Sequence, residues 1–189
     1  MFQVLFSHIE EKVQLSDAEK AKITSYFRTK KIKRRGYILM EGDVCNFLTF
    51  VERGLLKSAN MDEKGNEHIS LFAWEGWWIS DFNSFIHQVP AVLSIEAIED
   101  SELLQISRDN YEKLLIEIPL MERYFRILYQ NSLVTKDQRL ISSNSDSAES
   151  KYLRLVESMP NILQRVPQNL IASYLGLAPE TISRIKNKR

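Results

Sequence analysis

Between Tyr37 and Ile106 the sequence never sustains an apolar pattern for more than a few residues, and this limits the fold more than any other feature. The apolar or alternating runs are Tyr37–Met40, Phe47–Val51, Leu55–Ala59, Ile69–Phe72, Val92–Ala97 and Leu103–Ile106. Turn signals bound them at Arg35-Gly36, Glu41-Gly42-Asp43, Arg53-Gly54, Lys64-Gly65-Asn66, Glu75-Gly76 and Glu99-Asp100. Each run is too short for a stable helix and long enough for a strand. Many short strands at even spacing predict a sandwich or jelly-roll barrel. Asp62 to Asn66 is the clearest hairpin tip.

Helical patterns flank this region. Phe2, Leu5, Phe6, Ile9 and Val13 share one side of an expected helix over residues 2 to 13. Ser16, three residues before Glu19, reads as a capping box opening a second helix through about Phe27. After the strands, Ser107 is an N-cap, and Pro119 suits the first turn of a long helix to about Ile141. Leu120, Ile127, Val134 and Ile141 recur there every seven residues with Tyr124 beside them, while Met121, Phe125 and Leu128 form a second stripe. Two stripes predict a helix held between its own domain and another surface, such as its twin in a homodimer; one wide stripe in a single core is the alternative. The stretch SSNSDSAES (142–150) reads as a hinge, followed by a helix over about 148–159.

The last residues carry the sharpest local signal. Leu170, Ile171, Tyr174 and Leu175 lie on one helix face, and Gly176 ends that helix. Pro179 suits the first position of a second helix, in which Ile182 and Ile185 point inward and Glu180, Thr181, Ser183, Arg184 and Lys188 outward. Helix, glycine turn and polar-faced helix read as a DNA-binding helix-turn-helix; a plain helical hairpin is the rival. Charge favours DNA. The chain is formally neutral, yet from Lys151 onward seven Lys/Arg meet only Glu157 and Glu180, a surplus of +5, which leaves −5 on the first 150 residues.

The 44% hydrophobic and 26% charged content fits a soluble chain with a core, and no apolar run approaches the roughly twenty residues of a membrane span. The start, MFQVLFSHIEEKV, lacks the basic lead of a signal peptide, and Cys45 stands alone, so no intrachain disulfide or all-cysteine metal site is expected. A cytoplasmic location with no membrane partner follows as an expectation. His8, His68 and His87 are scattered without metal-ligand spacing, and no catalytic motif appears. No enzyme, no metal and no catalytic residue are expected. A cupin-like metal enzyme and a ligand-binding barrel without DNA stand as the alternatives.

The order of elements resembles the Crp/Fnr family of bacterial transcription regulators over essentially the whole chain. IASYLGLAPETISRIK carries the DNA-binding pattern, while ILMEGD (38–43), FVERGLLK (50–57), DEKGNE (62–67), FAWEGWWISDF (72–82) and IEAIEDSELLQIS (95–107) follow the sensor domain. The resemblance implies an α+β chain. A double-stranded β-helix (jelly-roll) sensor domain would span 1–118, a dimerisation helix and hinge 119–145, and a helix-turn-helix domain 146–189. It implies double-stranded DNA, a second copy, RNA polymerase and a small-molecule effector as partners. The dimer helix would present Leu120, Tyr124, Ile127, Val134 and Ile141. The DNA-facing set would be Gln168, Pro179, Glu180, Thr181, Ser183, Arg184 and Lys188. Glu180 and Arg184, one turn apart, would read bases: arginine grips guanine O6 and N7, and glutamate accepts from cytosine N4. Gln168, Thr181, Ser183 and Lys188 are placed for phosphates. An exposed ion pair between Glu180 and Arg184 is the bland reading.

The sequence also departs from the family. Pro179 stands where many relatives carry Arg, and the sequence given ends at Arg189 with no residues for the usual β-wing. Cyclic-nucleotide binders carry a Gly-Glu pair and, ten residues later, an Arg for the phosphate; the corresponding residues here are Ser80-Asp81 and Ala91. An alanine cannot neutralise a buried phosphate, so cyclic AMP in the usual pose is disfavoured and no cofactor is expected. Trp78, Ser80, Asp81, Phe82, Ala91 and Val92 form the expected effector pocket. The aromatic set Trp74, Trp77, Trp78, Phe82 and Phe85 could line a pocket for an apolar or planar effector, but reads first as barrel core.

Overall fold

A computed structural model describes residues 2–187, without the side chains of 143 and 144, so Lys188 lies outside the described residues. Two helices open the chain, α1 (Gln3–Glu10) and α2 (Asp17–Tyr26). The Ser16 capping box forms as expected, its hydroxyl accepting from the Glu19 N–H while Glu19 accepts from the Ser16 N–H. The first helix stops at Glu10 rather than Val13.

A first antiparallel sheet runs in the order β1 (Phe27–Ile32), β8 (Ser101–Ser107), β3 (Phe47–Arg53), β6 (Trp78–Ile79). A second contains β2 (Tyr37–Leu39), β7 (Ser94–Ala97), β4 (Leu56–Met61) and β5 (Glu67–Ala73). The two sheets make the expected jelly roll. Alternation in β3 decides what each side sees: Phe50 packs near the His8 ring of α1, while its neighbour Thr49 turns to the space between the sheets. At the expected tip between β4 and β5, Asp62 accepts from the N–H groups of Lys64 and Asn66.

The helix α3 (Phe82–His87) interrupts the strands, capped by the Asp81 carboxylate. α4 (Arg108–Glu117) starts at Ser107, whose hydroxyl accepts from the Asn110 N–H, and α5 (Pro119–Ser145) carries Pro119 in its first turn. The C-terminal part holds α6 (Ala148–Ser158), α7 (Ile162–Arg165), α8 (Gln168–Leu175) and α9 (Pro179–Asn187).

Two expectations are corrected. The serine-rich stretch 142–150 is not a nine-residue hinge: α5 runs to Ser145 and α6 starts at Ala148, leaving Asp146 and Ser147 between them. The serines hold the helix end, because Ser145 Oγ donates to the Ile141 carbonyl and Ser142 Oγ to Asp146. Ser147 then caps α6 by accepting from the Ser150 N–H. The second correction concerns the start of α5. Tyr124 is fully buried in the barrel core, where the Trp78 indole N–H donates to its hydroxyl at 2.8 Å and His8 Nδ1 lies 2.7 Å away. Leu120 is half-buried against the same core. Tyr124 is therefore not on an open face of the helix, because His8 of α1 and Trp78 of β6 already bond to it.

Candidate nucleic-acid interface and effector site

In the helix-turn-helix, Gly176 takes φ 65° and ψ 35°, the left-handed conformation that ends α8, and the Leu177 N–H returns to the Ala172 carbonyl. Ile182, Ile185, Ala172 and Tyr152 form a small buried core that fixes α9 across α8 and α6. Gln168 spans the turn, its amide donating to Ser183 Oγ at 2.6 Å and to the Pro179 carbonyl at 3.1 Å. Ser183 keeps its own O–H proton for an outside acceptor.

Glu180 and Arg184 are exposed on the outer face of α9. Among the described residues no ion pair joins them, and Arg184 donates instead to Thr181 Oγ1 at 3.4 Å. An acceptor-only and a donor-only group thus stand one turn apart, with their hydrogen-bonding capacity turned outward.

The helix-turn-helix is docked on the barrel. Ala59, Ile69 and Phe72 from β4 and β5 cluster with Leu155, Met159, Ile162, Val166 and Ile171, so they face outward from the barrel into the C-terminal helices. Ser173 stitches α8 to β5, its Oγ donating to the Glu67 carbonyl and accepting from the Ile69 N–H. Arg165 clamps the rim: it donates to both Glu99 oxygens at 2.9 and 2.8 Å and to both Glu75 oxygens at 2.9 and 3.0 Å. Burial pushes Glu75 up, but Arg165 and the Gly54 N–H outweigh it and hold the carboxyl below its ordinary range. Bonds to both glutamates raise Arg165 further above its already high value.

On α5 the apolar residues beyond the core are Leu133, Val134, Leu140 and Ile141, 62, 54, 65 and 68% exposed, with Ile127 half-buried. They recur at seven-residue spacing, as one side of a helix-to-helix seam does.

The six residues of the expected effector pocket lie outside the barrel cavity between β1, β2 and β7. Trp78 belongs to the core around Tyr124, and Ala91 is buried, its N–H and carbonyl bonded to the Asp43 carbonyl and the Gly42 N–H. Asp81 is 3% exposed and both its oxygens are taken, by the N–H groups of Ser84 and Val92. Phe82 packs on Tyr129 of α5, Ser80 is half-buried and Val92 is exposed. The barrel has a cavity of about 360 Å³ elsewhere, between β1 of one sheet and β2 and β7 of the other. Sequence reasoning passed over its polar wall, Arg28, Thr49 and Gln105. The available signal was a polar residue on the inward alternation of each apolar strand, FLTFV and ELLQIS.

Comparison with known proteins agrees with this architecture. The cyclic nucleotide-binding domain family matches residues 29–117. The regulatory protein HlyX of Actinobacillus pleuropneumoniae is 25% identical over 183 residues, covering 90% of this chain and 75% of its own length. The cyclic AMP receptor protein of Thermus thermophilus is 24% identical over 165 residues, covering 85% of this chain and 76% of its own. The structure of FixK2 from Bradyrhizobium japonicum superposes with a TM-score of 0.72 at 17% identity, over 86% of this chain and 83% of that one. With the jelly roll, the long helix and the C-terminal helix-turn-helix in the same order, the chain is similar to Crp/Fnr transcription regulators over most of its length.

Proposed function

We propose that this chain is a sequence-specific, effector-controlled transcription regulator that binds double-stranded DNA as a homodimer, with α9 in the major groove. The observation that carries this reading is the outward, unpaired Glu180 and Arg184 on a helix whose inner face is locked by Ile182 and Ile185. Arg184 donates to guanine O6 and N7, and Glu180 accepts from cytosine N4. Thr181, the free O–H of Ser183 and Lys188 meet phosphates, which set register without reading sequence. Gln168 supports the interface by holding Ser183 in place. Pro179 leaves one base position unread. The exposed stripe Val134 and Ile141, with Leu133 and Leu140, pairs two copies, so two recognition helices meet two half-sites. RNA polymerase is the partner that bound regulator acts on, in the cytoplasm.

The test is selection of bound fragments from a random DNA pool, repeated with Arg184→Ala. The expected result is a palindromic site for the native chain. The variant should lose about 1–3 kcal/mol of discrimination at one position of each half-site. Unchanged preference in the variant refutes the assignment of the reading residues.

A further inference from the structure

The barrel cavity takes no residue from α9, and one of its walls is polar. Arg28, Gln105 and Thr49 are direct neighbours across β1, β8 and β3. The Arg28 guanidinium donates through Nε and Nη2 to Gln105 Oε1 at 3.1 and 2.9 Å, and Gln105 Nε2 donates to Thr49 Oγ1 at 3.0 Å. Gln105 and Thr49 are 3% and 1% exposed. Among the described residues no buried polar side-chain atom lacks a partner, and the row opens to the surface at Arg28, an exposed residue of the edge strand β1.

The row is rich in donors. Gln105 is a neutral partner, so it does not cancel the charge of Arg28, whose guanidinium carbon lies over the Phe47 ring, 3.5 Å from the centroid. Arg28 reaches Gln105 through Nε and Nη2, which leaves Nη1 outside that pair, and Lys30 is half-buried two residues along the same strand. The Thr49 hydroxyl accepts from Gln105 and retains its proton to donate. Asp43, at the rim, is the one carboxylate on the lining. The opposite wall is apolar, with Leu39 and Ile95 buried and Ile38 beside them. Donors and positive charge on one side and aliphatic carbon on the other define the ligand's chemistry.

We propose that this cavity binds a small organic monocarboxylate, with the carboxylate on Arg28 and Lys30 and the apolar body against Leu39 and Ile95. None of the six residues at the nucleotide-type position lines it. The proposal deepens the effector part of the regulator reading and rests on it for its biological meaning, while binding itself is measured without DNA.

The probes are benzoate and hexanoate, with benzamide and cyclic AMP as comparisons, titrated into the full chain by calorimetry and by methyl nuclear magnetic resonance. The expected result is submillimolar binding of at least one acid, with shifts at the Leu39, Ile38 and Ile95 methyls and none from benzamide. Arg28→Met should weaken it at least tenfold. Lys30→Gln, on the rim, should weaken it several-fold and guards against misfolding of the first variant. Failure of both acids to bind at millimolar concentration overturns the proposal. So does equal binding by benzamide, indifference to both substitutions, or competition by cyclic AMP at lower concentration. Acid binding by a chain that selects no DNA sequence upholds the site and refutes the regulator reading alone.

Discussion

Replacing Arg165 by Met removes the clamp between α7 and the barrel rim while leaving a side chain of similar length. Four charge-assisted hydrogen bonds disappear, at 2.8 to 3.0 Å. Charged hydrogen bonds contribute about 1.5–3 kcal/mol when buried, whereas exposed ion pairs contribute about 0.2–1 kcal/mol. The side chains of Arg165, Glu75 and Glu99 are 23, 36 and 32% exposed, which places this cluster between those limits. Two bidentate pairs at that depth amount to about 2–3 kcal/mol. The apolar contacts beneath are larger: Ile162, Val166 and Ile171 are at most 4% exposed, and at about 1.5–3 kcal/mol each they contribute roughly 5–9 kcal/mol. The clamp therefore orients a surface that carbon holds in place. Arg165→Met should stay folded and docked, with a thermal midpoint lower by roughly 5–10 °C, at about 2–4 °C per kcal/mol for a chain of this size. A double-mutant cycle with Glu75→Gln, followed by urea unfolding, should give a coupling of about 1–2 kcal/mol. A coupling below about 0.5 kcal/mol would refute the reasoning, since the bonds would then be no better than surface pairs.

Other outcomes follow from single sites. Burial, with a smaller contribution from Lys12, pushes the His8 imidazole from 6.5 down to about 4, so the unfolded chain takes up the proton first as pH falls. Stability is then full above pH 6.5 and lost progressively between there and about pH 4, and His8→Gln should flatten that part of a denaturation–pH profile. Val134→Asp with Ile141→Asp should leave the fold intact and shift sedimentation from dimer to monomer; a dimer that survives both changes would place the seam elsewhere. At Gly176 nothing lies within 4 Å of where a Cβ would stand, so Gly176→Ala carries only the left-handed backbone cost, about 1–2 kcal/mol in chemical denaturation.

Features set by neighbouring residues were legible in the sequence. Gly176, Pro179 and the Ile182–Ile185 spacing fix the helix-turn-helix through backbone conformation and one apolar face, and both act over a few residues. The strand β1 was not legible, because Arg28, Thr29, Lys30 and Lys31 of this edge strand carry no apolar alternation; its register comes from β8. Tyr124 was misplaced because seven-residue counting treats the long helix as uniform, while only its second half leaves the barrel. Asp81 was read through the position of a ribose-binding acid. Its local role, as the cap three residues before Ser84, was available from sequence alone.

The docking surface was the least legible part, and it controls where the recognition helix sits. Alternation in β4 and β5 shows that Ala59, Ile69 and Phe72 need cover but cannot say what supplies it. With only Asp146 and Ser147 between α5 and α6, the position of α9 relative to α5 depends on this dock as well as on the linker. One sheet separates the dock from the cavity: Leu39 and Ile95 line its inner side, and Ala59 and Phe72 meet the C-terminal helices on its outer side. The Ile69 N–H reports directly on docking, because it donates to Ser173 Oγ at 3.2 Å. Ser173→Ala removes that acceptor and the bond from Ser173 to the Glu67 carbonyl. If α8 holds the edge of β5, hydrogen exchange at Ile69 should speed up roughly five- to tenfold in the variant, the effect of about 1–1.4 kcal/mol for one lost bond. Exchange in the core strand β8 should not change. Equal acceleration at Ile69 and in β8 would mean that the substitution loosens the whole barrel, and the dock would lose its standing as a separate element.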